Sequence, residues 1–173
     1  MKLKDYILEV EDFPKKGISF KDITPLIKDA QAFKYTVNEI ANFAVKQQAS
    51  VIVGPDARGF IIGCPVAYAS NLGFVPVRKS NKLPRETIQK SYELEYGENT
   101  LMIHKHDIQK GDKVLITDDL LATGGTIKAV IELVEALGAE VVGIAFILEI
   151  KDLQGQKAIE TLGTYNIKVL ESY

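Results

Sequence analysis

Apolar and polar positions along this chain switch between two periods. Residues 30–48 put Phe33, Val37, Ile40, Ala41, Ala44 and Val45 on one face at helical spacing, which predicts an amphipathic helix. Residues 50–54 are a short β-branched run and predict a buried strand. Residues 58–71 predict a second helix ending near Gly73, and 74–77 a second strand. Pro76 lacks a donor N–H, so that strand belongs where one ladder bond is dispensable. Residues 78–85 are basic, poor in apolar side chains, and read as an exposed loop. Residues 91–104 predict an antiparallel hairpin turning at Gly97-Glu98-Asn99. Residues 113–117 predict a central strand. Residues 127–137 predict a helix with Ile127, Val130, Ile131, Val134 and Leu137 on one stripe and Gly138 as its cap. A strand over 140–150, a helix over 152–162 and a strand over 168–170 complete the chain.

Strand and helix alternate throughout. This predicts an α/β fold with a mostly parallel central sheet flanked by helices, carrying the hairpin as an antiparallel flap or hood. The chain of 173 residues is expected to be one domain, 1–173.

Composition narrows the function classes. Net charge is −2, so no general attraction to nucleic acid or an anionic membrane is expected. The longest apolar stretch, 141–148, is too short to span a bilayer as a helix. The first residues lack the apolar core of a signal peptide. A soluble, cytoplasmic protein is the expectation. Cys64 is the single cysteine, and its apolar neighbours at 61–67 predict an inert buried thiol. His104 and His106 lack partner ligands at metal spacing and are read as hairpin or surface residues.

The chemistry concentrates at Asp118–Thr126, where strand gives way to helix. Open α/β sheets bind ligands at such strand ends. Thr123, Gly124, Gly125 and Thr126 suit a phosphate dianion: the glycines let backbone N–H groups converge, the threonines add hydroxyl donors, and the next helix presents its positive end. Asp118 and Asp119 would repel a phosphate they touched. They suit sugar hydroxyls a few ångströms away, and a magnesium ion carried by the substrate. Neither a Walker loop nor a dinucleotide-binding fingerprint is present.

Residues 114–126 resemble the phosphoribosyl diphosphate (PRPP) motif of type I phosphoribosyltransferases. Four further segments resemble the adenine phosphoribosyltransferase family: 13–26 (FPKKGISFKDITPL), 54–60 (GPDARGF), 77–84 (VRKSNKLP) and 92–97 (YELEYG). Together they span nearly the whole chain. The resemblance implies magnesium-dependent transfer of a phosphoribosyl group from PRPP to adenine N9, giving AMP and pyrophosphate in purine salvage. It implies that Ala122, Thr123, Gly124, Gly125 and Thr126 cradle the 5′-phosphate, and that Asp118 and Asp119 hold the ribose hydroxyls. Arg58, Arg78, Lys79 and Lys82 would bind the diphosphate, the 78–82 loop often serving the neighbouring subunit, so a homodimer is implied. Ser19, Phe20 and Lys21, with Ile150 opposite Phe20, would form the adenine pocket. Glu95 would sit on a mobile flap and manage the N9 proton, with Tyr96 helping to position base or sugar. Magnesium would ride on PRPP, without direct protein ligands. The chain departs from the common pattern at Asp56, where many relatives have Glu, and at Lys21, where Arg is common. Two other readings are the same fold acting on an oxopurine, and a PRPP-sensing regulator without catalysis. The 13–26 segment argues against the first, and the lack of a DNA-binding appendage against the second.

Overall fold

The structure, a computed structural model, describes residues 1–93 and 98–173. The chain opens with a short 3₁₀ turn at Leu3–Tyr6, then pairs β1 (Leu8–Val10) antiparallel with β2 (Phe20–Asp22) as a small separate sheet. Helices α1 (Thr24–Lys28) and α2 (Ala30–Lys46) follow. The Asp29 carboxylate accepts from the N–H groups of Gln31 (3.0 Å) and Ala32 (2.9 Å) and so fixes the start of α2.

Next come β3 (Val51–Pro55), α3 (Arg58–Ala69), β4 (Gly73–Lys79), β5 (Thr87–Glu93), β6 (Glu98–His104) and β7 (Lys113–Leu121). Helix α4 (Gly125–Ala136), β8 (Glu140–Glu149), a 3₁₀ turn at Lys151–Leu153, α5 (Gly155–Glu160) and β9 (Ile167–Ser172) complete the chain. The main sheet has the order β5-β6-β4-β3-β7-β8-β9. Strands β4, β3, β7, β8 and β9 are mutually parallel, and the β5–β6 hairpin adds an antiparallel edge.

Successive side chains of a strand point to opposite faces, and the core divides accordingly. Val51 and Val53 of β3, Val114 and Ile116 of β7, and Ile144 and Phe146 of β8 pack on the face covered by α4. Ile52, Leu115, Ala145 and Ile147 pack on the face covered by α2 and α3. Both faces are dry, which explains the nearly continuous apolar runs of these strands. Among the described residues β4 pairs with β6 only at Arg78 and Lys79, so Pro76 falls on a stretch of β4 open on that side.

The structure corrects several sequence-based expectations. Cys64 is exposed. Helix α3 buries Gly59, Ile62, Gly63, Val66 and Ala67, which turns Ile61, Cys64 and Tyr68 outward. An apolar neighbourhood in sequence is thus not a buried one on a helix. Partial desolvation still pushes the Cys64 thiol above its ordinary range, which disfavours a reactive thiolate. Val45 is 64% exposed, on the flank of the stripe formed by Ala32, Thr36, Val37, Ile40, Ala41 and Ala44. Glu98 and Asn99 belong to β6 rather than to a turn. The hairpin also starts earlier than expected, at Thr87. His104, by contrast, is a hairpin residue as expected, closing β6, and it is buried between Arg85 and Asp107. Strand β7 runs on to Leu121, so the acidic pair sits at a strand end and not in a loop.

Candidate active site

The C-terminal ends of β3 and β7 and the start of α4 surround a cavity of about 500 Å³, within the range of small-molecule sites. Its walls include Arg58, Lys79, Asp118, Asp119 and the whole loop from Ala122 to Thr126.

The loop is shaped by two glycine contacts. Gly124 has φ +87°, and a Cβ there would lie 2.8 Å from the Gly155 carbonyl oxygen. Only glycine combines that conformation with that approach. A Cβ on Gly155 would in turn collide with the Ala122 carbonyl oxygen. The start of α5 therefore backs directly onto the loop. Helix α4 begins beyond Gly124, with Lys128 N–H donating to the Gly124 carbonyl at 2.9 Å. The first N–H groups of a helix have no partner within it, and those of Gly125 to Ile127 belong to residues on the cavity wall.

Asp118 and Asp119 stand at the end of β7. Asp119 N–H donates to Asp118 Oδ1 at 2.8 Å. Asp118 opens partly to the cavity and is otherwise enclosed by protein. Desolvation, reinforced by the Asp119 charge, holds its carboxyl well above the usual range. Desolvation also raises Asp119, although the Arg58 guanidinium opposes the rise. Arg58 Nε lies 3.0 Å from Asp119 Oδ2, so arginine and carboxylate neutralise one another inside the cavity. A paired, partly desolvated set of carboxylates fits hydroxyl donors or a hard divalent cation.

The basic segment behaves differently. Arg78 Nε (3.3 Å), Lys82 Nζ (3.7 Å) and Lys79 N–H (3.4 Å) all gather on Asp56 Oδ2, whose side chain is buried at the cavity edge. Arg78 and Lys82 do not line the cavity, whereas Lys79 does. Ser19, Phe20, Lys21 and Ile150 do not line it either. Phe20 lies next to it through the Arg58 guanidinium, 5.8 Å from its ring centroid, and meets Phe13 edge-on at 5.3 Å. The Lys21 ammonium turns away to Glu9 (2.7 Å) and lies 4.7 Å from the Tyr173 ring centroid. Ile150 continues from β8, its N–H donating to the Leu121 carbonyl at 3.0 Å. Glu95 and Tyr96 lie outside the described residues.

Three contributors escaped sequence reasoning. Gly155 carries no local motif, and its role exists only through contact with a loop some thirty residues earlier. Asp56 looked like a mild departure, yet it organises the basic segment. Tyr92 lines the cavity from β5, and the Thr126 hydroxyl donates to its phenol oxygen at 3.2 Å. The period-two spacing of Ile88 and Tyr92 was the available signal for the last.

Comparison with known proteins gives this arrangement its class. Residues 26–166 match the family model described as the phosphoribosyl transferase domain, and the chain belongs to the phosphoribosyltransferase family. Within that family it is similar over its full length to solved adenine phosphoribosyltransferases. The enzyme from Thermoanaerobacter pseudethanolicus is 49% identical with a TM-score of 0.93, covering 99% of this chain and 98% of that one. The Rhodothermus marinus enzyme is 43% identical with a TM-score of 0.90, covering 99% and 96%. The Saccharomyces cerevisiae enzyme, solved with an iminoaltritol bisphosphate and adenine, is 34% identical with a TM-score of 0.90, covering 98% and 96%.

Proposed function

We propose that this chain is an adenine phosphoribosyltransferase, transferring the phosphoribosyl group of PRPP to adenine N9 with release of pyrophosphate. One observation carries the reading: a single cavity joins a phosphate-type loop at a helix N-terminus to a desolvated acidic pair and to Arg58. A sugar phosphate with vicinal hydroxyls and an anionic leaving group matches all three.

The loop from Ala122 to Thr126 takes the 5′-phosphate through backbone N–H groups, the two threonine hydroxyls and the positive end of α4. Asp118 and Asp119 accept from the ribose 2′- and 3′-hydroxyls. As the bond from C1′ to the diphosphate lengthens, positive charge builds on the ribose ring, and these carboxylates stabilise it electrostatically. Their desolvation strengthens the effect, since the same charge acts more strongly where water is excluded. Arg58 exchanges Asp119 for the leaving diphosphate. Lys79 lines the cavity on the same side, while Arg78 and Lys82 are held on Asp56 at its edge. The acidic pair would fit a hard cation such as magnesium carried in by PRPP, which would help to neutralise the diphosphate. The base enters beside Phe20, with Ser19, Lys21 and Ile150 around it. Because the Lys21 side chain is committed to Glu9 and Tyr173, its contribution to base recognition falls to the backbone. Glu95 manages the N9 proton from the flap segment.

The working unit is a homodimer. Support comes from α3, where Ile61 (41% exposed), Cys64 and Tyr68 (91% exposed) form an outward apolar stripe at helical spacing. The segment 78–82 then reaches the neighbouring subunit. The expected location is the cytoplasm, in keeping with the absence of any helix, among the described residues, long and apolar enough to cross a membrane.

Pyrophosphate release from PRPP and magnesium, with and without adenine, tests the reading. Release that depends on adenine supports it. PRPP binding without any release would instead favour a sensor.

A further inference from the structure

Three residues on one face of β5 run along α4 in order. Ile88 packs into the core beneath α4. Lys90 Nζ pairs with Glu132 Oε2 of α4 at 2.7 Å. Tyr92 packs its ring against the same core and meets the Thr126 hydroxyl at 3.2 Å. Positions i, i+2 and i+4 of a strand share a face, so the Tyr92 contact is the last step of a docked row. Cross-strand contacts hold the strand in place behind it: the Ser91 and Thr100 hydroxyls lie 2.8 Å apart, and Tyr92 pairs with Asn99 of β6.

We propose that Tyr92 is a positioning residue for the 5′-phosphate, acting through Thr126; this rests on the phosphoribosyltransferase reading above. In the structure the Thr126 hydroxyl donates to the Tyr92 oxygen, 3.2 Å away. A phosphate dianion offers acceptors only, so on its arrival the hydroxyl proton turns to the phosphate. The Thr126 oxygen is then left with a free lone pair facing the phenol. Tyr92 reverses its role and donates to that oxygen, giving a directed chain from Tyr92 O–H to Thr126 O–H to phosphate. The chain fixes the threonine rotor and polarises its donor, and neighbouring hydrogen bonds of this kind strengthen one another. It also gives the β5–β6 hairpin a contact whose strength depends on whether the phosphate is present.

The test is AMP binding by titration calorimetry to wild type, Tyr92→Phe, Thr126→Val and the double variant, paired with initial-rate kinetics. Tyr92→Phe keeps the packed ring, so its melting temperature should match wild type. It should weaken AMP binding and raise the KM for PRPP by about three- to tenfold, without raising the KM for adenine. Thr126→Val should weaken AMP binding at least as much, and adding Tyr92→Phe to it should change little more. Weakened binding by Thr126→Val with none by Tyr92→Phe would overturn the proposal and leave the phosphate site standing. Fully additive losses would overturn the relay, because Tyr92 would then act independently of Thr126. A wild-type chain that binds neither AMP nor PRPP would overturn the underlying functional reading.

Discussion

At the residue scale, the acidic pair sets a conflict between stability and chemistry. Asp118 is held well above the usual carboxylate range by desolvation and by the Asp119 charge. A carboxyl raised on folding keeps its proton in the native state at pH values where the unfolded chain has lost it. The native state therefore loses stability as pH rises from the ordinary aspartate value toward the raised one. Asp118→Asn removes that cost and retains an oxygen for the Asp119 N–H. It should raise the melting temperature at neutral pH, by about 2–4 °C for each kcal/mol recovered, and the gain should vanish below the ordinary aspartate range. Turnover should fall about 100-fold or more, as expected when a charge-stabilising group is lost. Thermal scans at two pH values and a single rate measurement check both arms. In the wild type, kcat/KM for PRPP should fall on acidification starting above the ordinary carboxylate range, because the ionised pair is the form that stabilises the ribose cation. A profile flat down to the ordinary aspartate value would contradict this.

At the element scale, the phosphate loop owes its form to a neighbour in space. Loop, acidic pair and following helix were legible because they adjoin along the chain, and chemistry that adjoins leaves a motif. Gly155 left none, since its importance lies in contact with the Ala122 carbonyl oxygen. Gly155→Ala should push that loop away, destabilise the fold by about 1–3 kcal/mol, and lower kcat/KM for PRPP by at least about tenfold. Denaturant unfolding and initial rates measure these effects. An unaltered kcat/KM would show that α5 does not shape the loop. The β1–β2 pair escaped prediction for a related reason: three-residue strands ten residues apart carry too little periodicity to register. Strand β7 was cut short at Thr117 because the Asp118-Asp119 pair that follows resembles loop composition, although Leu120 and Leu121 continue pairing with β8.

For the whole molecule, the alternation of strand and helix was enough to give the parallel sheet, since each buried strand must be covered on both faces. It did not show which helix faces remain uncovered. The stripe of Ile61, Cys64 and Tyr68 emerges only when α3 is seated on the sheet, and it corrects the expectation of a buried thiol. If that stripe is the contact between two copies, Ile61→Glu with Tyr68→Glu should shift the protein from dimer to monomer in sedimentation. The rate should drop with it, because Arg78 and Lys82 then lose the neighbouring site they serve. A monomeric variant with full activity would confine the whole reaction to one chain.

The proposed activity turns on one cavity, in which PRPP reacts with adenine. Its most direct test is the initial rate of AMP formation from PRPP, magnesium and adenine, run beside hypoxanthine, guanine and xanthine. Nucleotide is expected from adenine, with little from the oxopurines. Nucleotide formed chiefly from an oxopurine, or from none of the four bases, would contradict it.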